Sequence, residues 1–195
     1  MSRLYRINEI FYSLQGEGFH TGRAAVFVRF SGCNLHCDFC DTDFAAAEEL
    51  TLEQIVDRAD ALCRQATERP MVVLTGGEPT LQADEPLVGA LHAAGFDFVA
   101  MESNGTHHPP RNLDWLTVSP KCQPVVERCD EVKYVFRSER SLRLCDIRAD
   151  HFFLQPCDTG DAALNRAILS RCVDFIQRHP KFRLSLQTHK LIGLK

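Results

Sequence analysis

The order of apolar runs in this chain predicts an α/β fold, a partial TIM-like barrel of parallel strands with reduced helices. Short β-branched or aromatic runs alternate with stretches of helical period, and that alternation makes right-handed crossovers and a parallel sheet. Seven strands can be marked this way but few full-length helices. The 195 residues fall short of the roughly 250 that a complete (β/α)₈ barrel needs.

The elements follow in chain order. Ala25-Val26-Phe27-Val28-Arg29-Phe30 is β-branched and aromatic and stops at Ser31-Gly32, a strand running into a loop. From Thr51, Leu52, Ile55, Val56, Ala59, Leu62, Cys63 and Ala66 form one helical stripe, with Thr51 and Gln54 as a capping box and Pro70 as the stop. Met71-Val72-Val73-Leu74 is a continuous apolar run meeting Thr75-Gly76-Gly77, as in a buried parallel strand. Leu87, Val88, Ala90, Leu91 and Ala94 mark a helix ended by Gly95. Strands are expected at 96–102, 115–119, 131–136, 152–155 and 182–187, and a long amphipathic helix at 161–179. The links 103–114 and 120–130 are too short and polar for regular helices.

With 45% hydrophobic and 25% charged residues the chain is an ordinary globular protein, not a disordered one. A formal charge of −4 with dispersed Lys and Arg offers no footprint for a nucleic-acid backbone. No apolar stretch is long enough to span a bilayer, and MSRLYRINEIFYSLQGEG lacks the apolar core of a secretory signal. A cytoplasmic protein with no membrane or nucleic-acid partner is expected.

Nine cysteines is an odd number, which speaks against a disulfide framework in a reducing compartment. Cys63, Cys122, Cys129, Cys145, Cys157 and Cys172 are scattered and read as small buried side chains. Cys33, Cys37 and Cys40 crowd into eight residues directly after the first barrel strand, where active-site loops gather in parallel α/β sheets. Three thiolates can bind three irons of a [4Fe–4S] cube and leave the fourth iron open to a small molecule. The competing reading is a zinc site with His36 or His20, but C-x₃-C-x₂-C lacks the paired spacing of zinc knuckles.

C-x₃-C-x₂-C with Phe39 before its last cysteine resembles the signature of radical S-adenosylmethionine (SAM) enzymes, and Gly76-Gly77-Glu78-Pro79 resembles their GGEP motif. Two glycines after a strand permit close backbone approach, and a carboxylate nearby can pair with an ammonium. Four further matches narrow the resemblance to the 7-carboxy-7-deazaguanine synthase family. They are Ser13-Leu14-Gln15-Gly16-Glu17-Gly18, the stretch from Val28 to Leu35, Cys40-Asp41-Thr42, and Ser185-Leu186-Gln187-Thr188-His189-Lys190. The similarity runs from about residue 8 to 195. It implies one domain, with residues 1–24 as a substrate-binding extension and 25–195 as the partial barrel.

The resemblance also implies a reaction and its site. Cys33, Cys37 and Cys40 would hold a [4Fe–4S] cluster, and Thr42 would be a Mg²⁺ ligand, although Asp41-Thr42-Asp43 also suits a turn cap. SAM would meet Phe39, Cys40, Asp41, Gly77, Glu78, Ser103, Ser119, Pro120 and Lys121. A deoxyadenosyl radical derived from SAM would abstract hydrogen from C6 of 6-carboxy-5,6,7,8-tetrahydropterin. Ring contraction and loss of ammonia would then give 7-carboxy-7-deazaguanine, a step of queuosine and other 7-deazapurine biosynthesis. The substrate would meet Leu14, Gln15, Gly16, Glu17, Arg29, Thr75, His189 and the terminal Lys195, where relatives often carry Pro. From the residues alone, Gln15 and Glu17 could end a strand and Arg29 could be a solvated charge. An electron donor such as flavodoxin and a homodimer are further expectations. A glycyl-radical-enzyme activase would share the cysteine loop but carry a glycine–proline–glycine segment in place of Gln15–Gly18. A non-catalytic iron–sulfur or zinc module would leave the GGEP-like and LQTHK-like segments without a purpose.

Overall fold

A computed structural model describes residues 3–40, 43 and 47–194. Among them, nine strands form one sheet in the order β3-β1-β2-β4-β5-β6-β7-β8-β9. The strands are β1 (Leu4–Leu14), β2 (Ala24–Phe30), β3 (Glu48–Thr51), β4 (Met71–Gly76), β5 (Val99–Ser103), β6 (Trp115–Val118), β7 (Arg128–Phe136), β8 (Arg148–Pro156) and β9 (Arg183–Leu184). From β2 through β4 to β9 all pairings are parallel. The first and last strands of the row do not pair with each other, so the barrel is open, as its length requires.

The seven parallel strands are the seven expected ones, with shifted ends. The two additions are antiparallel: β1 lies on β2, and β3 on β1. Residues 1–24 are therefore not only an extension of the barrel, because most of β1 is a full member of its sheet. The register of β1 shifts between Ile7 and Glu9, a bulge that breaks the two-residue period and hides the strand from a pattern reading. The strand expected at 96–102 begins at Val99 because Gly95 (φ +87°) and Phe96 close the preceding helix, with Phe96 N–H donating to Leu91 O at 3.1 Å. The strand expected at 182–187 ends at Leu184, and the chain then leaves the sheet.

The three longer helices among the described residues pack on the outer side of the sheet. α1 (Leu52–Leu62) starts at the expected capping box, with Gln54 N–H donating to Thr51 Oγ1 at 3.4 Å and Thr51 N–H to Gln54 Oε1 at 2.8 Å. It stops at Cys63, well before Pro70. α2 (Glu85–Ala93) is capped by Asp84, and α3 (Ala162–Arg178) by Asp161, whose carboxylate accepts from Ala163 and Leu164 N–H at 2.8 and 2.9 Å. α4 (Thr188–Leu191) is a single turn. No helix joins β5 to β6, β6 to β7 or β7 to β8, in keeping with the short polar links. Val26, Val28, Phe30, Val72, Leu74, Met101 and Leu154 form the main core together with Ile55, Leu87, Leu91, Ile168 and Phe175 from the helices. Burying such side chains contributes about 1.5–3 kcal/mol each.

The alternate residues of the same strands face the barrel interior. Ala25, Phe27, Met71, Val73 and Ala100 make an apolar floor, with Phe98 and Trp115 packed against it. Cys63, Cys129, Cys157 and Cys172 are buried as expected, but Cys145 is half-buried and Cys122 exposed, which corrects the uniform reading of the six. Among the described residues no helix is long and apolar enough to cross a membrane.

Candidate active site

Above the apolar floor, at the carboxyl ends of the parallel strands, lies a cavity of about 540 Å³. Strand alternation supplies its walls: Arg29 pairs in register with Thr75, Glu102 with Thr117, and Val135 with Gln155, all lining the same space. Cys33, Cys37, Phe39 and Cys40 line one side. Leu14, Gln15, Gly16 and Glu17, which follow or end β1, line another, and His189 of α4 closes over them. The structure thus brings the cysteine loop and the N-terminal polar segment to one space.

The glycines act on the protein itself. A Cβ on Gly77 would lie 1.9 Å from Gly32 O, and one on Gly76 would lie 2.2 Å from Phe30 O, so the loop after β4 presses directly on the loop that begins the cysteine segment. Gly77 N–H donates to Phe30 O at 3.0 Å and Glu78 N–H to Gly32 O at 2.9 Å. A Cβ on Gly16 would fall 2.0 Å from His189 Nδ1, and α4 is tied there by Thr188 N–H and Oγ1, each donating to Gly16 O at 2.9 Å.

Glu78 lies fully buried behind the cavity wall. Its carboxylate accepts from Ser103 Oγ (2.8 Å), Asn104 N–H (2.7 Å), Thr80 Oγ1 (2.6 Å) and Thr80 N–H (3.1 Å). Asn104 Nδ2 in turn donates to Asn34 Oδ1 at 3.0 Å. In this arrangement Glu78 fixes the end of β5 and, through Asn34, the cysteine loop. Ser103 reaches the cavity edge with its hydroxyl turned to Glu78; Ser119 and Lys121 line the cavity, whereas Pro120 is buried outside it. Lys121 Nζ donates to Ser119 O at 2.8 Å and stands 5.9 Å from the Phe39 ring centre. The Arg137 guanidinium lies 5.1 Å from that ring and donates to Asp38 Oδ2 at 2.8 Å. Asp41, Thr42 and Lys195 lie outside the described residues.

The cysteine set fits a cluster better than a single ion. Among the described residues no three His, Cys, Asp or Glu side chains converge as they would on one metal ion. A cube needs its thiolates spread around it, one to each iron. Leu35 N–H already donates to Cys33 Sγ at 3.4 Å, and burial, followed by the charges of Cys40 and Cys33, pushes the Cys37 thiol up against the pull of Lys121. Three crowded thiolates therefore call for a strong positive centre. His20 is far from taking part in a zinc site, since its ring packs edge-on against Phe98 and Trp115 in the floor.

Three charged or polar interior residues, Glu102, Lys133 and Gln155, belong to no recognised motif. Lys133 on β7, its side chain 5% exposed, forms ion pairs with Glu17 and with Glu102 Oε2, the latter at 3.6 Å. Gln15 Nε2 donates to Glu102 Oε1 at 2.8 Å, and Gln187 Nε2 to Glu17 Oε1 at 2.9 Å. Gln155 Oε1 accepts from Ser185 Oγ at 3.0 Å, which itself accepts from Gly18 N–H at 2.9 Å. Burial would raise the Glu17 carboxyl, but Lys133 and Gln187 outweigh it and hold it below the usual range. Arg29 Nε donates to Glu9 Oε1 at 2.9 Å, so it is a half-buried paired cation rather than a solvated one. The signal for them is parity: Glu102, Lys133 and Gln155 sit at inward positions beside the buried, largely apolar Met101, Val132, Tyr134 and Leu154 of the outward face.

A parallel, open α/β sheet with a three-cysteine loop at the carboxyl end of its first parallel strand defines a radical SAM enzyme, and residues 27–118 match the Radical SAM superfamily. Membership implies a [4Fe–4S] cluster and SAM. The chain belongs, more narrowly, to the 7-carboxy-7-deazaguanine synthase family. It is 48% identical to the 7-carboxy-7-deazaguanine synthase of Bacteroides thetaiotaomicron, over 97% of this chain and 98% of that one. The Bordetella pertussis enzyme of the same name is 45% identical over 97% and 99%. The crystal structure of QueE from Escherichia coli superposes with a TM-score of 0.74 at 29% identity, covering 95% of each chain.

Proposed function

We propose that this enzyme converts 6-carboxy-5,6,7,8-tetrahydropterin to 7-carboxy-7-deazaguanine with loss of ammonia, a cytoplasmic step of queuosine or other 7-deazapurine biosynthesis. The observation that carries the proposal is the sharing of one cavity by the cysteine loop and the polar residues of the β1 end. The chemistry that a bound cluster and SAM would supply is one-electron generation of a 5′-deoxyadenosyl radical, able to abstract hydrogen from C6 of the pterin.

The chain's own residues bind and orient. Glu17, together with Gln15 and the main chain of Leu14 and Gly16, suits the amide and guanidine-like edge of a pterin. Arg29 and His189 suit its carboxylate, with Thr75 and the main chain of Lys195 as further contacts. Cys33, Cys37 and Cys40 would hold the cluster. Phe39, Cys40, Asp41, Gly77, Ser103, Ser119 and Lys121 are the proposed SAM neighbours, with Glu78 and Pro120 supporting them from behind. The α4 turn over Gly16 and the apolar floor exclude water from the reacting centre. Mg²⁺ on Thr42, a flavodoxin-like one-electron donor and a homodimer complete the proposal.

Anaerobic incubation of the reconstituted enzyme with SAM, a reductant and 6-carboxytetrahydropterin tests it. The expected product is 7-carboxy-7-deazaguanine by mass spectrometry, and its absence while SAM is cleaved contradicts the substrate assignment.

A further inference from the structure

We infer that Lys133 is a positioning residue: its buried ammonium clamps the Glu17 and Glu102 carboxylates so that they face the bound heterocycle as one anionic acceptor. The inference rests on the pterin reading above and deepens it.

Lysine is almost never fully buried unless paired, because desolvating its ammonium is costly. Here three separate parts of the chain meet at the ammonium. Lys133 projects inward from β7, Glu17 comes from the loop after β1, and Glu102 comes from β5. A salt bridge in such a place is weak evidence for stability, since well-packed apolar side chains of similar volume often do as well. Its location argues for another purpose, because all three side chains line the cavity. Two carboxylates and one ammonium leave one net negative charge, the complement of a donor-rich, guanidine-like edge. Gln187 and Gln15 each hold one oxygen of Glu17 and Glu102, respectively, so the carboxylates are fixed in rotation as well as charge.

Removing the cation has a predictable electrostatic result. Glu17 is largely but not fully buried, and burial is the largest influence on it, acting to protonate it; Lys133 is the main opposing one. The other charged or titratable groups around Glu17 are Glu131 on β7, Glu102 on β5, Lys121 after β6 and His189 on α4. Two of the nearest are acidic, so without Lys133 the Glu17 carboxyl rises above the usual carboxylate range. Below that new value it is neutral and a poorer acceptor.

The test uses anaerobically reconstituted enzyme and the variants Lys133→Met, Lys133→Arg and Lys133→Met/Glu17→Gln, all checked for parental iron content and SAM affinity. Lys133→Met is expected to raise KM for the pterin about 10- to 100-fold with a much smaller change in kcat. Its KM should improve as pH rises above the usual carboxylate range, as Glu17 ionises. Lys133→Arg should recover most of the affinity, and the double variant should lose the pH dependence that Lys133→Met acquires. A Lys133→Met enzyme with parental KM and pH profile overturns the inference while leaving the substrate reading intact. Equal loss of iron and SAM affinity in the Met and Arg variants also overturns it, in favour of a purely structural role. A parent enzyme that cleaves SAM without consuming the pterin overturns the substrate reading and this inference together.

Discussion

The floor and the mouth of the barrel are built by the same strands, yet they obey opposite rules. At the floor, inward positions carry Ala25, Phe27, Met71, Val73 and Ala100, sealed from below by Phe19, His20 and Trp115 in ring contact. A few residues further along each strand the inward positions carry Arg29, Thr75, Glu102, Lys133 and Gln155. The outward face is largely apolar, packed on helices where these cover it, as Val28 and Leu74 are with Ile55 and Leu87 in one core. Position along a strand therefore separates stability from chemistry in this fold, and parity separates interior from core.

The largest expected effect breaks the mouth. Gly77→Ala places a Cβ against Gly32 O and the Cys33 main chain, atoms that cannot swing aside. Iron loading and activity should fall by about a hundredfold or more as the cysteine loop is displaced, measured as iron per chain and product formed. Full loading would show that the two loops are not coupled. At the floor, Met71→Ala should cost about 2–5 kcal/mol in denaturant unfolding while leaving KM and kcat of the folded enzyme close to the parent. A large change in KM there would dissolve the division between floor and mouth.

Between these regions stands Glu131, whose carboxyl is pushed up to about 7 by burial, against the pull of Lys133 and the Phe19 N–H it accepts at 2.8 Å. The folded state then binds this proton more tightly than the unfolded chain does. This group's contribution to stability is present below the ordinary carboxylate value and is lost as pH rises through about 7. Glu131→Gln should flatten that part of the stability–pH curve, a change of at most about 3 kcal/mol. An unchanged slope would place Glu131 in contact with water. At the exposed edge, Arg58→Ala breaks only the solvent-facing pair with Glu48 and should leave Tm where it was.

Much of this was legible in the sequence, for physical reasons that can be named. The parallel strands announced themselves because continuous apolar runs such as Met71–Leu74 are buried on both faces. The cysteine loop was legible because three thiols in eight residues have few other uses. β1 was not, since its bulge interrupts alternation, and β3 was not, since four residues with two exposed glutamates carry no pattern. Glu78 shows a subtler limit: its motif position suggested a ligand contact, whereas only coordinates reveal Thr80, Ser103 and Asn104 around it. Lys133 is not legible, because a lysine in Glu131-Val132-Lys133-Tyr134-Val135-Phe136 looks like an ordinary solvent-facing residue until the barrel curls around it.

The central claim is that one cavity holds both the radical-generating loop and the heterocycle, close enough for direct hydrogen transfer. Turnover of 6-carboxytetrahydropterin carrying deuterium at C6 tests it most directly. Deuterium should appear at the 5′ carbon of 5′-deoxyadenosine or of recovered SAM; recovery of the label only in solvent or unreacted pterin would contradict the account.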